Sequence, residues 1–185
     1  MGETGMETRR LILRAALDLF SVDGYARTSL REIAEKVGIS KPALYYHFGS
    51  KEDLLVEIVR PLQDAMAELL DRAEAADPPP TGRDFFTAYF DVVMEHRQLS
   101  VWLSMDNAPR AHPALTERGW AQQERLIKLL RGDDDSFERS VEVACALGAM
   151  QVGIMTFATL GGLDQAREHI LGAALRLLEG GRSDA

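Results

Sequence analysis

The sequence predicts an all-α protein with two parts, a short N-terminal head and a larger helical body. Three observations predict this fold class. Apolar residues recur at spacings of three and four along most of the 185-residue chain, as they do on one face of a helix. The alternation of apolar and polar residues that would indicate strands does not persist. Segments rich in glycine and proline divide the chain into about nine helical stretches.

The first two helices are defined by the residues at their ends. An apolar face over Leu11–Phe20 predicts a first helix, and Gly24 ends it because glycine readily takes a left-handed conformation. Ser29 and Glu32 have the spacing of a capping box, which opens a second helix. Gly38 ends this second helix after little more than two turns.

Two more helices follow at once. Ser40 can cap a short third helix with Pro42 in its first turn, where a missing N–H costs little, and Gly49 ends it. A fourth helix is predicted over Ser50–Ala76, interrupted at Pro61, because proline removes a backbone hydrogen bond and should kink the helix.

The body contains five further predicted helices after the proline-rich breaker Asp77–Gly82. They span Phe85–His96, Leu99–Asn107, Leu115–Arg131, Phe137–Leu160 and Asp164–Leu178. Within the fourth of them, Val143 to Leu160 are 18 residues without a formal charge, near the lower limit for crossing a bilayer. This run contains polar and glycine residues and is the only one of its kind. We therefore predict a buried helix and no membrane segment, with a membrane span as the alternative.

Charge and cysteine content narrow the class of protein. The net charge is −8, but acidic and basic residues are equal in number in residues 1–55, so residues 56–185 carry the acidity. A neutral head can still bind phosphates through locally grouped cations. The first ten residues contain acids and lack an apolar core, so they do not form a secretory signal. Together with the lone Cys145, these features predict a cytoplasmic protein.

The segment Thr28–Phe48 is predicted to form a helix-turn-helix, because two short helices joined by a glycine turn can place the second in a DNA major groove. Leu44 and Phe48 are four residues apart and therefore face the core together. The rest of the third helix is cationic, aromatic and hydrogen-bonding. Its candidate DNA-contacting residues are Lys41, Pro42, Ala43, Tyr45, Tyr46 and His47.

This segment resembles the tetracycline-repressor (TetR) family of transcriptional regulators. The resemblance is close over Arg9–Leu55, and Gly38 to Leu55 matches the family pattern nearly position by position. Beyond Leu55 the resemblance is one of architecture. It implies a bacterial regulator with a DNA-binding domain at residues 1–55 and an effector-binding and dimerisation domain at residues 56–185. Repression would be relieved when a small molecule binds the second domain.

The resemblance also implies roles for the matching residues. Lys41, Pro42, Ala43 and Tyr46 would face base edges or the adjoining backbone, and Tyr45, His47 and Lys51 would hold phosphates. Thr28 and Arg31 would touch the backbone or a flanking base. Of these residues, Lys41 could favour guanine, whereas Pro42 and Ala43 offer only apolar contact. Structural alternatives remain open, namely a half-buried Tyr45–Tyr46 pair, a His47 bonded within the head, and capping by Thr28 and Arg31.

In the body, the resemblance implies an effector pocket and a dimer interface. The candidate pocket residues are large side chains, with ordinary core packing as the alternative for each: Phe86, Tyr89, Phe90, Trp102, Met105, Trp120 and Met150. Because these side chains are mostly apolar or aromatic, they favour an apolar effector. Helices Phe137–Leu160 and Asp164–Leu178 resemble the family's dimerising pair. A two-fold dimer would present two recognition helices to a palindromic operator in double-stranded DNA.

No catalytic residue, metal site or cofactor is predicted. The four histidines are scattered, Cys145 has no local partner, and Asp133–Asp135 lack the rest of a calcium loop. The protein is therefore expected not to be an enzyme. Two other classes remain open: a DNA-binding protein whose body senses a partner protein or nothing, and a helical interaction or enzyme module that merely retains the head.

Overall fold

The computed structural model describes residues 3–180. Within this range it contains ten α-helices, one more than predicted, and no strand, so the predicted all-α class is confirmed. The helices are α1 (Glu3–Asp23), α2 (Leu30–Val37), α3 (Lys41–His47), α4 (Lys51–Ala75), α5 (Gly82–Glu95), α6 (Arg97–Met105), α7 (Asn107–Arg110), α8 (Pro113–Arg131), α9 (Phe137–Leu160) and α10 (Leu163–Leu178).

Helix α7 is the one that the sequence analysis missed. It has four residues and begins where α6 ends, because the side chain of Asp106 accepts a hydrogen bond from the Ala108 N–H at 3.0 Å. Such a cap satisfies one of the N–H groups that the first turn of a helix leaves without a partner. A helix this short has no apolar periodicity of its own, so its pattern merges with that of its neighbours.

Two details of α3 and α4 differ from the prediction. Helix α3 ends at His47 with Phe48 as its C-cap in an extended conformation, one residue before the predicted stop at Gly49. Helix α4 continues through Pro61, so the predicted interruption there is wrong. A proline removes only one backbone hydrogen bond, and the turns on both sides of Pro61 keep the helix continuous.

The described residues up to Gln63, together with Gln98–Glu117, form a first compact unit, which we call unit 1. Its core is a single apolar cluster drawn from α1 to α4, α6 and the start of α8. The ring of Phe20 is central: it stacks on Trp102 at 5.4 Å between ring centroids and meets Tyr25 edge-on at 5.2 Å. Unit 1 thus contains the predicted head at residues 1–55 and adds α6, because Leu99 and Trp102 belong to the same core. The functional boundary at residue 55 stays a prediction.

The second compact unit, which we call unit 2, comprises Asp64–Arg97 and the described residues from Arg118 onward. Helices α9 and α10 are its main pair, joined by Gly161 and Gly162 with φ of +88° and +82°. Only glycine adopts such a pair of angles readily, which permits the two-residue turn. A Cβ atom at Gly153 would lie 3.0 Å from the Ile170 side chain, so this glycine allows α9 to approach α10 closely.

Helix α9 is more exposed within one chain than the sequence analysis predicted. One stripe is buried, formed by Val143, Ala146, Met150 and Ile154. An 18-residue window of α9 has a mean hydropathy of 1.7, long and apolar enough to cross a membrane, yet only 22% of that window is buried. Helices in the cores and interfaces of soluble proteins have the same composition. The other faces of α9 therefore form an exposed apolar surface in the single chain.

Candidate nucleic-acid interface

The helix-turn-helix of unit 1 is formed by local signals that the sequence shows. The Ser29 hydroxyl accepts from the Glu32 N–H at 3.2 Å, while the Glu32 carboxylate accepts from the Ser29 N–H at 2.7 Å, which completes the predicted capping box. Gly38 has φ of +77° and ends α2 in the left-handed conformation. The Ser40 hydroxyl accepts from the Ala43 N–H at 3.3 Å and caps α3.

The seven residues of α3 divide into a buried and an exposed side. Leu44 is fully buried and Phe48, which follows the helix, is also in the core. On the other side Lys41, Pro42, Tyr45 and Tyr46 are exposed, and Ala43 and His47 are half-buried. This division is the one that the four-residue spacing predicts. The structure therefore brings the six α3 candidates to one surface of unit 1, which we call the α3 face.

The aromatic and cationic groups of the α3 face lie against one another. The Lys41 ammonium is 5.7 Å from the centroid of the Tyr45 ring, and the rings of Tyr46 and His47 meet edge-on at 5.3 Å. Tyr46 is 79% exposed, which is high for a large aromatic side chain that folding alone would bury. The His47 Nδ1 is buried and makes no hydrogen bond to the described residues. Only the other edge of the imidazole can therefore reach a ligand.

The three candidates outside α3 differ in accessibility. Arg31 is exposed and pairs with Glu35 one turn along α2, with Nε and Oε1 2.7 Å apart. Thr28 is only 3% exposed, and its hydroxyl donates to the Gly24 carbonyl at 3.0 Å. This burial leaves the Thr28 side chain little surface to offer to a phosphate. It favours the alternative that Thr28 has a structural role before α2.

Lys51 is also held within unit 1. Its ammonium lies 4.3 Å from the centroid of the Tyr25 ring and 5.9 Å from that of Phe20, and it donates to the Ala26 carbonyl at 3.4 Å. Burial lowers the pKa of Lys51, partly offset by the charges of Glu52, Asp106 and Glu32. These contacts make Lys51 a residue that ties the start of α4 to the α1–α2 turn. Its predicted phosphate contact is untested.

The sequence analysis missed two residues that support the helix-turn-helix. Arg9 of α1 donates from Nη1 to the His47 carbonyl at 2.8 Å, across 38 residues of sequence. Asp106 accepts the Tyr25 N–H on Oδ2 at 2.6 Å, across 81 residues. Neither contact has a local pattern, because each depends on how distant helices fold together. Their residue types, a cation in α1 and an acid after α6, gave no signal.

The candidate effector residues do not form one group. Phe86, Phe90 and Met150 are fully buried in unit 2, and Tyr89 beside them is half-buried, with burial raising its pKa to about 12. Trp120 is 69% exposed. Trp102 and Met105 belong to unit 1, where Trp102 lies in the core and Met105 is exposed. The roles of all seven residues in ligand binding stay predictions.

Two concavities of unit 2 are lined by other residues. An open groove of about 710 Å³ runs between α9 and α10, where its walls include Gly153, Phe157, His169 and Ile170. A smaller one of about 260 Å³ lies between α4 and α5 beside Pro78 and Pro80. Neither is lined by any of the seven candidates. Within residues 3–180 no group of three His, Cys, Asp or Glu side chains is placed to hold a metal ion.

The segment that contains the helix-turn-helix matches a known protein family. The family model described as bacterial regulatory proteins, tetR family, matches residues 12–58, which span α2, α3 and parts of α1 and α4. The chain is 34% identical over 103 residues to the HTH-type transcriptional repressor KstR2 of Mycolicibacterium smegmatis, covering 54% of this chain and 49% of KstR2. It is 43% identical over 67 residues to the HTH-type transcriptional regulator AcrR of Shigella flexneri, covering 36% of this chain and 31% of AcrR. The chain thus matches about half or less of the length of these relatives.

Solved structures extend the similarity to the whole fold. The TetR family transcriptional regulator PfmR from Thermus thermophilus is 29% identical and has a TM-score of 0.63, covering 91% of this chain and 97% of PfmR. The similarity of fold therefore covers 91% of this chain, whereas the alignment with KstR2 covers 54%.

Proposed function

This chain belongs to the tetR family of bacterial regulatory proteins, and we propose that it acts as a homodimeric transcriptional repressor, released from a palindromic operator by a small-molecule effector. The observation that carries the proposal is the α3 face. It places Lys41, Tyr45 and Tyr46 in solvent on the second helix of a helix-turn-helix, where the core does not need them.

On DNA, α3 would enter the major groove with the α3 face toward the bases. Lys41 is the cation that could bond the acceptors of guanine, and Pro42 and Ala43 would contact a thymine methyl group. Tyr46 would face a base edge or the adjoining backbone, whereas Tyr45 and His47 would contact phosphates and fix the register of the helix. Arg31 is accessible for a flanking contact. We leave Thr28 out of this set because its side chain is buried.

The exposed faces of α9 support a two-fold dimer. Val141, Cys145, Gly148 and Val152 recur at spacings of three and four on this helix, and all are exposed in the single chain. Phe137 and Leu160, at the two ends of α9, are exposed as well. A continuous apolar stripe of this length in a soluble protein indicates an interface, and Gly148 would permit close helix approach. A second copy of this chain is the partner that would give two recognition helices and hence a palindromic operator.

Release by an effector requires a connection between the units. The chain passes between them within α4, at the start of α6 and within α8. A ligand bound in unit 2 can shift DNA affinity only by its own difference in affinity for the two states. The residues that line the two concavities of unit 2 are mostly apolar, which favours an apolar effector. The rival is a regulator whose body binds a partner protein or nothing, and it would show no ligand-dependent rise in melting temperature.

We also propose that the protein acts in the bacterial cytoplasm.

The proposal is tested by selecting bound fragments from the genomic DNA of the source organism. The wild type is compared with the Lys41→Ala, Tyr46→Ala double variant, and both are first shown to have the same helix content by circular dichroism. We expect the wild type alone to recover fragments that share a palindrome. Recovery of the same unrelated fragments by both proteins would instead favour an interaction module that retains the head.

A further inference from the structure

We propose that Arg9 is a positioning residue for DNA reading, which holds the C-terminal end of α3 in place and does not itself touch DNA. The inference rests on the proposed function, because it concerns the helix that would read the operator. It differs from the roles given above, which all belong to side chains on the α3 face or beside it.

The first contact of Arg9 is with the end of α3. The Nη1 donates at 2.8 Å to the carbonyl of His47, the last residue of this helix. The last four carbonyls of a helix have no intrahelical partner, and they form the negative end of its dipole. A guanidinium there satisfies one of these carbonyls and is attracted by the dipole. In a helix of seven residues, the last turn is about half of the structure.

Two further contacts fix the guanidinium itself. Its central carbon lies 4.2 Å from the centroid of the Phe48 ring. Phe48 is the C-cap residue of α3 and is buried. Its Nη2 lies 2.8 Å from Oε2 of Glu57 on α4. Arg9 therefore joins α1, the end of α3 and α4 through one rigid planar group. A lysine could not make these contacts together, because its ammonium is a single point charge.

These contacts bear on base reading more than on phosphate binding. The Arg9 side chain is 29% exposed, and two of its terminal nitrogens are engaged within the unit. Ser40 caps the first turn of α3, whereas Arg9 bonds the last turn. Base contacts require side chains held to within about 0.5 Å, while loose electrostatic attraction to phosphates tolerates larger shifts. Loss of Arg9 should therefore weaken discrimination between operator and other DNA.

The test uses the full chain with Arg9→Met, which keeps the length and apolar stem of the side chain, and Arg60→Met as a matched control. Arg60 also pairs with Glu57 and carries the same charge, but its partner lies on its own helix. Affinity is measured for the recovered operator and for a scrambled duplex over a range of salt concentrations. For Arg9→Met we expect operator affinity to fall about tenfold or more, the scale of one charge-assisted hydrogen bond. Scrambled-DNA affinity and the salt slope should stay unchanged, and Arg60→Met should resemble the wild type on both duplexes.

Three results would overturn the proposal. Equal losses on both duplexes, with a salt slope smaller by about one, would make Arg9 a direct phosphate contact. A lower melting temperature with unchanged operator affinity well below it would leave Arg9 only a stabilising role. The third result is equal amide hydrogen exchange at Leu44–Phe48 in Arg9→Met and in Arg60→Met, because we expect faster exchange in Arg9→Met only.

This exchange measurement does not depend on DNA. If the wild type selects no operator, the proposed function fails, and hydrogen exchange still tests whether Arg9 holds the end of α3.

Discussion

Replacing Asp106 by alanine tests whether the α6–α7 segment and the helix-turn-helix fold as one unit. Asp106 accepts two backbone hydrogen bonds with its two carboxylate oxygens. Oδ2 accepts the Tyr25 N–H at 2.6 Å, and Oδ1 accepts the Ala108 N–H at 3.0 Å. Tyr25 lies in the turn before α2, so one side chain links residues 81 positions apart.

The expected loss follows from these two bonds. A partly buried N–H left without an acceptor costs about 1–3 kcal/mol, and loss of a helix N-cap costs about 1 kcal/mol. We expect Asp106→Ala to lower the free energy of unfolding by about 2–4 kcal/mol. Asp106→Asn keeps one acceptor oxygen and should lose about half as much. Asp23→Ala is the matched control: this exposed acid is also in unit 1, and its removal should cost under about 0.5 kcal/mol, as is usual on a surface.

Urea denaturation followed by circular dichroism measures these differences. All variants are compared at one protein concentration, because a dimer's stability depends on concentration. If Asp106→Ala unfolds within about 0.5 kcal/mol of the wild type, then the link to Tyr25 contributes nothing. The assignment of residues 98–117 to unit 1 would then rest on the shared apolar core and on the hydrogen bond that the Gln98 Nε2 donates to the Asp18 Oδ1 at 3.0 Å.

Two other predictions concern unit 2. Burial raises the pKa of Tyr89 to about 12, so between pH 10 and that value the folded state keeps a proton that the unfolded state loses, and stability falls as pH rises. At about pH 11 the wild type should have lost up to about 1.4 kcal/mol more than Tyr89→Phe, relative to neutral pH, and parallel losses in the two proteins would contradict the burial of this phenol. Val152→Glu would place two unpaired carboxylates in the proposed dimer interface and should weaken dimerisation at least about a hundredfold in sedimentation analysis. Val22→Glu on α1 is its control, and an unchanged dimer in Val152→Glu would exclude this face of α9.

The parts of the fold that the sequence predicted are those with local causes. The capping box of Ser29 and Glu32, the turn at Gly38 and the cap at Ser40 each depend on residues within a few positions. The spacing of Leu44 and Phe48 likewise predicted which side of α3 is buried. This is why the six α3 candidates lie on the surface where they were expected.

The parts that could not be predicted depend on distant residues. Thr28 and Lys51 have suitable residue types for phosphate contacts. The burial of Thr28 and the contacts of Lys51 with Tyr25 and Ala26 are set by the way the α1–α2 turn and α4 come together. Trp102, a candidate pocket residue whose ligand role stays a prediction, stacks on Phe20 because α6 folds into unit 1. Residue type alone does not distinguish an aromatic ring in a core from one in a pocket. The contacts of Arg9 and Asp106 have no signature in the sequence for the same reason.

The central claim is that the α3 face reads DNA, and operator affinity of single variants tests it most directly. Fluorescence anisotropy with the recovered operator compares Lys41→Ala and Tyr46→Ala with Lys128→Ala, an exposed lysine on α8 that changes the charge equally. We expect Lys41→Ala to lose about tenfold to a hundredfold in affinity, the scale of one base-reading contact, and to relax specificity at one base pair. Tyr46→Ala should also weaken binding, while Lys128→Ala stays within about twofold of the wild type. Wild-type affinity in both α3 variants would contradict the account.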